Sequence, residues 1–152
     1  MYGTILLPVD GSEQSERAAD HAIEVASKFD SRLSVLHVVD DRGSGRAATA
    51  VSERSRNAPE RQEMERRRKR AGDDLTAGVV ERAREAGVDA EGIVLEGDPA
   101  DVITDHATEE GIDLIVLGAR GRSAVGKFLL GDTAGKVARH ATTPVMLVRA
   151  DG

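Results

Sequence analysis

The chain contains no cysteine and no tryptophan, and its only aromatic residues are Tyr2, Phe29 and Phe128. Without cysteine there can be no disulfide, thiolate metal ligand or cysteine nucleophile, which excludes a disulfide-stapled secreted scaffold. So few rings leave no stacking platform of the kind that single-stranded nucleic-acid binders use. We therefore expect an aliphatic core and, as the simplest interpretation, a cytoplasmic protein.

Long apolar runs and a positive net charge are also lacking. No run approaches the ~20 residues that span a bilayer, and residues 1–10 lack the basic region and cleavage site of a signal peptide. The 27 acidic residues outnumber the 21 basic ones, giving a net charge of −6. This balance disfavours non-specific attraction to nucleic acid or anionic lipid.

Size and composition predict one soluble globular domain. The 152 residues include 39% hydrophobic and 32% charged side chains, and a chain of about this length buries one self-sufficient core. We expect a single domain over residues 1–152. Residues 41–58 have little apolar content and are expected to form a flexible loop.

Short apolar runs alternate with segments of helical periodicity. Strands are predicted at 4–9, 33–39, 93–95, 112–118 and 145–148. Helices are predicted at 12–29, 59–86 and 98–111, with a last one beginning near 131. The alternation predicts an α/β fold: a doubly wound five-stranded parallel sheet flanked by helices. Ligands bind such sheets at the carboxyl ends of strands, where the winding direction reverses.

A glycine-rich segment at 118–133 leaves a predicted buried strand and ends at a predicted helix N-terminus. Glycine lets backbone amides approach an anion, and the helix end carries a partial positive charge, so phosphate is a natural ligand. The alternative is that these glycines only form turns. Residues 121–127 match G-x-x-x-x-G-K, but Phe128 stands where a Walker A loop needs Ser or Thr. A P-loop is therefore disfavoured.

The spacing of Gly118, Gly121 and Gly131 resembles the G-x2-G-x9-G-[S/T] nucleotide motif of the universal stress protein family. Further segments look like that family, in order and over essentially the whole chain: ILLPVDGSEQS, LHVVD, LIVLGARGRS and TPVMLVR. The resemblance implies an adenine nucleotide alpha hydrolase-like fold and a stress-response role. It also implies a homodimer that binds ATP or a related adenine nucleotide, with Mg²⁺ as an accompanying ion.

The resemblance also implies which residues contact the nucleotide. Asp10 would lie near the ribose or phosphates, and Val38 would meet adenine through its backbone. The segment from Gly118 would flank the ribose and phosphates, and the segment from Gly131 would hold the phosphate chain. The full set is Pro8, Val9, Asp10, Val38, Gly118, Arg120, Gly121, Gly131, Asp132 and Thr133.

Asp132 departs from the family motif, which has Ser or Thr after the third glycine. A carboxylate cannot donate a hydrogen bond, and it repels phosphate a few ångströms away by about 1 kcal/mol or more. Thr133 restores a hydroxyl, Arg120 and Arg122 can pair with phosphates, and a bridging magnesium could neutralise the carboxylate. ATP binding is therefore expected to be weakened, not excluded. Alternatively, Asp132 only caps the last helix.

Three other features have ordinary structural explanations. The four histidines show neither metal-ligand spacing nor a nucleophile partner and are interpreted as structural. Asp40 and Asp41 could hold a cation near a nucleotide, although paired acids at a strand end more commonly start a turn. The basic run at 66–70 has acidic residues at helical neighbour spacings, which favours a salt-bridged solvated face over a nucleic-acid site.

Three functions remain open from the sequence. The first is nucleotide binding without rapid turnover; we expect any hydrolysis to be slow, because neither a magnesium-holding loop nor an arginine finger is evident. The second is a nucleotide-free homodimeric scaffold whose phosphate site is disabled by Asp132, and the least favoured is a phosphotransfer enzyme. The apolar last strand is predicted at a sheet edge, and the resemblance implies a homodimer paired along Val145–Val148.

Overall fold

A five-stranded parallel sheet lies between two layers of helices in the computed structural model, which describes residues 1–40, 58–120 and 130–149. The strands are β1 (Thr4–Pro8), β2 (Arg32–Asp40), β3 (Ala90–Gly97), β4 (Leu114–Gly118) and β5 (Val145–Val148). The helices are α1 (Glu13–Phe29), α2 (Ala58–Glu85), α3 (Pro99–Glu109) and α4 (Asp132–His140). The predicted α/β fold is confirmed. The predicted loop at 41–58 lies outside the described residues, except for Ala58 at the start of α2.

The strand order β3-β2-β1-β4-β5 places a reversal of winding between β1 and β4. The chain first moves outward from β1 through β2 to β3, and then crosses to β4 and β5 on the other side of β1. The carboxyl ends of β1 and β4 therefore border the crevice where ligands bind in doubly wound sheets. The predicted edge position of the last strand is confirmed.

Pro8 helps to open that crevice. Because Thr4 accepts a hydrogen bond from the Asp113 N–H, the even-numbered residues of β1 face β4. Pro8 is one of these, and it has no N–H to donate. Pairing between the two strands extends only over Ile5 with Leu114 and Leu6 with Ile115, so their carboxyl ends are not joined.

The core has two aliphatic layers, one on each face of the sheet. Helices α1 and α2 cover one face of the sheet, where the alanines of α1 allow a close approach to the strands. The large buried side chains of this layer include Ile5, Leu7, Leu33, Val35 and Val116. Helices α3 and α4 cover the other, which contains Leu6, Leu36, Ile115, Leu117, Ile103 and Val137. The expectation of an aliphatic core is confirmed.

Two large apolar side chains on the described helices are exposed. Phe29 is 55% exposed and contacts the ring of Tyr2 edge-on, with the centroids 5.2 Å apart. Met64 is 51% exposed because α2 is too long for the sheet: its 28 residues span about 42 Å. The apolar side of this helix packs on the core in the second half of the helix, where Val79 and Ala83 are buried.

Local signals determine where the helices begin and end. The Ser12 hydroxyl caps α1 by accepting a hydrogen bond from the Ser15 N–H. The Asp98 carboxylate caps α3 in the same way through the Asp101 N–H, with Pro99 in the first turn. Both cap residues stand at the first positions of the predicted helix ranges, 12–29 and 98–111. No helix in the described part of the chain is long and apolar enough to cross a bilayer.

Candidate functional site

A cavity of about 260 Å³ opens at the carboxyl ends of β1, β2 and β4, where the winding of the sheet reverses. Its lining includes nine of the ten residues predicted to contact a nucleotide: Pro8, Val9, Asp10, Val38, Gly118, Arg120, Gly131, Asp132 and Thr133. The tenth, Gly121, lies outside the described residues, as do Asp41, Arg122 and the Walker-like match. The structure thus brings together predicted residues that are up to 125 positions apart in the chain.

The turn between β1 and α1 holds Asp10 at the edge of this cavity. One carboxylate oxygen of Asp10 accepts a 2.9 Å hydrogen bond from the Ser12 N–H. The Asp10 N–H donates to the Ser15 hydroxyl over 3.1 Å, and Gly11 between them adopts a φ of +81° that favours glycine. Two hydrogen bonds and the backbone turn at Gly11 therefore fix Asp10 and the direction of its side chain.

Gly118 at the end of β4 packs directly on the first turn of α1. A Cβ atom added there would lie 3.0 Å from the Gln14 carbonyl carbon and 3.1 Å from the Ser15 nitrogen. The next residues are held as well: the Arg120 N–H donates to the Gln14 side-chain oxygen over 2.8 Å. Glycine is needed here for close backbone approach rather than for an unusual backbone angle.

Gln14 is a site residue that the sequence analysis missed. It is only 7% exposed although it lies in the first turn of α1. A long polar side chain near a helix start is normally solvated, so the sequence offers no clear signal for this role. Its buried amide fixes the segment after β4 against the segment after β1.

The N-terminus of α4 lines the cavity through Gly131, Asp132, Thr133 and Ala134. Gly131 is the N-cap residue, at φ −63° and ψ 161°, and no side chain in the described part of the chain caps this helix. The alternative prediction that Asp132 caps the helix is therefore wrong; Asp132 is the first helical residue, and its side chain is exposed. The first-turn N–H groups lack intrahelical acceptors and carry a partial positive charge, so this end can bind an anion.

Gly131 is not required by its backbone angles. Any residue can adopt an extended conformation of this kind, and Ser or Asn would cap the helix better. Gly131 is buried in the cavity wall, where a side chain would stand in front of the helix amides. Glycine at position 131 therefore leaves the helix N-terminus accessible from the cavity.

Four charged residues line the described part of the cavity. Among its described lining residues, Asp10, Asp40 and Asp132 are acidic and Arg120 is basic. Within the described ranges, no three acidic or histidine side chains cluster closely enough to hold a metal ion. Magnesium commonly takes one or two carboxylates together with water and substrate phosphates, so here it would depend mainly on the phosphates of a nucleotide.

Comparisons with known proteins agree with this architecture. The model of the universal stress protein family matches residues 1–149. Universal stress protein YxiE of Bacillus subtilis is 36% identical over 154 residues, covering 98% of this chain and 100% of that protein. Universal stress protein UspA from Lactobacillus plantarum has a TM-score of 0.83 and 27% identity, covering 97% of this chain and 98% of that one. A universal stress protein in complex with cAMP has a TM-score of 0.67 and 27% identity, covering 98% of both chains.

Proposed function

This chain belongs to the universal stress protein family, and from that premise we propose that it binds ATP or a related adenine nucleotide in the cavity at the ends of β1, β2 and β4. The observation that carries the proposal is the gathering of nine predicted contact residues around one cavity at the winding reversal. A relative of 27% identity was solved with cAMP, which is itself an adenine nucleotide. We propose that occupancy of the site, rather than rapid turnover, serves the stress response.

The phosphate end of the ligand is proposed to lie at the start of α4. This helix N-terminus, which no side chain of the described residues caps, offers backbone N–H groups and a partial positive charge, which together suit a phosphate. Thr133 adds a hydroxyl donor, and Arg120, a residue type that pairs with phosphate, lines the same cavity. These donors support binding in spite of the exposed carboxylate of Asp132.

The base is proposed to lie between apolar walls beside Val38. Leu36, Ile103 and Leu117 line this part of the cavity, and apolar walls with a few polar groups are typical of small-molecule sites. The Val38 backbone offers an N–H donor beside a C=O acceptor. Adenine presents the complementary pair, an amino group beside a ring nitrogen, whereas guanine presents an oxygen and an N–H. The site is therefore expected to prefer adenine.

Thermal unfolding and calorimetric titration of the purified protein with ATP, AMP and cAMP, each with and without Mg²⁺, test the proposal. A ligand at 100 times its dissociation constant adds about 2.7 kcal/mol to the free energy of unfolding, which raises Tm by several degrees for a domain of this size. Gly131→Val should abolish the shift. Gly78→Val, on an open surface of α2, should retain it. No shift with any of the three nucleotides would overturn the proposal.

A second candidate function is a nucleotide-free homodimeric scaffold, favoured by one observation: the Asp132 carboxylate lines the cavity beside the amides that would receive a phosphate. Asp132→Ser separates the two candidates. If the site binds nucleotide, the substitution strengthens an affinity already measurable in the wild type. If the protein is a scaffold, the wild type binds none and the variant gains measurable affinity.

A further inference from the structure

The ladder between β1 and β2 ends one hydrogen bond short of the cavity. The Arg32 N–H donates to Gly3 and the Val9 N–H donates to Leu36, each over 2.8 Å, so the even-numbered residues of β2 direct their N–H and C=O groups at β1. The next bond of this series would join the Val38 N–H to the Val9 carbonyl. Strand pairing stops before it, at Pro8 and Leu36.

The Val9 carbonyl has a side-chain partner instead. The His37 Nδ1 atom lies 2.8 Å from the Val9 carbonyl oxygen. Since a carbonyl oxygen can only accept, the hydrogen is assigned to Nδ1. The imidazole thus takes the place that the Val38 N–H would have in a continued ladder. Val38 lines the cavity, whereas His37 is not among its described lining residues.

Helix α2 holds the imidazole from its other side. A Cβ atom added at Gly72 would lie 2.7 Å from the His37 Cδ2 atom and 3.3 Å from a methyl carbon of Val94. Glycine inside a helix is destabilising relative to alanine, and here it provides the room that the ring occupies. The ring is therefore positioned by β1 and α2 together.

We propose that His37 is a positioning residue for base recognition, an inference that rests on the proposed nucleotide function. By donating to the Val9 carbonyl, His37 ends the ladder and leaves the Val38 N–H directed at the cavity. That N–H donates to the ring nitrogen of adenine, and the neighbouring Val38 C=O accepts from the amino group. His37 acts on the ligand only through Val38.

Two substitutions of His37 distinguish the effect of its hydrogen-bond donor from the effect of its side-chain size. His37→Leu fills similar space without a donor, so the Val38 N–H turns to the Val9 carbonyl and the ladder gains one bond. The affinity for ATP should then fall roughly tenfold, the equivalent of one lost hydrogen bond, and the ratio of ATP to GTP affinity should move towards one. His37→Asn places an amide N–H near the position of Nδ1 and should restore ATP affinity to within about threefold of the wild type.

Hydrogen exchange of the unliganded protein tests the same inference without nucleotide. The Val38 amide should exchange much faster than the Leu36 amide in the wild type, and it should become protected in His37→Leu. Gly72→Ala, which displaces the ring, should weaken ATP binding in the same direction, whereas Gly78→Ala on the open face of the same helix should not.

The outcomes distinguish the two proposals. If the wild type binds ATP and His37→Leu binds it equally well, the positioning role is overturned while the nucleotide function stands. Protection of the Val38 amide equal to that of Leu36 in the wild type also overturns it. If the wild type binds no adenine nucleotide, the proposed function fails and the role of His37 in base recognition fails with it.

Discussion

The side-chain oxygen of Gln14 accepts a 2.8 Å hydrogen bond from the backbone N–H of Arg120, 106 positions further along the chain. This bond joins the first turn of α1 to the segment that leaves β4, on opposite sides of the crevice. The same turn of α1 holds Asp10 through Ser15. The two segments that would flank a nucleotide are therefore fixed to each other before any ligand binds, which reduces the ordering that binding requires.

Loss of the Gln14 acceptor should destabilise the protein. Gln14→Met keeps the size of the side chain but leaves the part-buried Arg120 N–H without this partner, which costs about 1–3 kcal/mol. Urea denaturation measures the change. Arg17→Met, on an exposed position of the same helix, should stay within about 0.5 kcal/mol of the wild type. Equal stability of the two variants would show that the hydrogen bond contributes nothing.

The close contact at Gly118 makes a second prediction. Gly118→Ala places a Cβ atom 3.0–3.1 Å from backbone atoms of Gln14 and Ser15, and overpacking of this kind costs about 1–3 kcal/mol. The control, Gly78→Ala, has nothing within 4 Å of its new Cβ and should gain up to about 1 kcal/mol from helix propensity. Chemical denaturation should therefore show opposite signs for the same substitution. A stabilised Gly118→Ala variant would contradict the packing argument.

The elements of the fold could be predicted because their signals are local. The run from Leu114 to Gly118 is apolar enough to be a strand buried on both faces, and Asp98 followed by Pro99 is a strong helix start. The parallel sheet with helices on both faces followed from the rule that parallel strands need helical crossovers, whereas the strand order was not predicted beyond the edge position of the last strand. None of these predictions required knowledge of contacts between distant residues.

The parts that could not be predicted depend on such contacts. The sequence allowed Asp132 as an alternative helix cap because aspartate suits that position, but the N-cap residue is Gly131 and the helix N-terminus borders the cavity. The exposure of Met64 depends on where α2 passes the end of the sheet. Gln14 and His37 act through backbone groups 106 and 28 positions away, and residue type alone gives no indication of such pairings.

The left-handed backbone conformation of Asp30, at the end of α1, leads to a third prediction. Asp30 has a φ of 53° at the C-cap position, where glycine is unstrained, and its negative charge faces the negative end of the helix dipole. Asp30→Gly should raise the free energy of unfolding by about 1 kcal/mol, measured by urea denaturation. Asp30→Asn should give a smaller gain that decreases with added salt, because only the charge effect is screened.

A matched glycine substitution within α1 provides the control for Asp30. Ser27 is exposed inside the same helix, so Ser27→Gly should destabilise the protein by a few tenths of a kcal/mol through lost helix propensity. If both glycine variants destabilise to the same degree, the left-handed backbone of Asp30 carries no strain.

The two edge strands of the sheet, β3 and β5, differ in charge, and this difference leads to a fourth prediction, which concerns a homodimer. Edge strand β3 carries the exposed Glu91 and Glu96, charges that oppose pairing with another chain, whereas β5 reads Val-Met-Leu-Val. Val148 accepts a hydrogen bond from the Ala119 N–H, so the even-numbered residues of β5 face β4 and Leu147 directs its N–H at the open edge. If two copies pair along β5, that N–H is a donor across the interface.

Leu147→Pro removes this donor without breaking the ladder to β4, a position at which edge strands tolerate proline. Light scattering at micromolar concentration should then show a dimer for the wild type and a monomer for the variant. Leu147→Ala loses comparable packing but keeps the N–H, and it should remain dimeric. A dimeric Leu147→Pro variant would place the interface elsewhere, and a monomeric wild type would remove the homodimer from the proposal, because an unpaired β5 edge would then be stable in water.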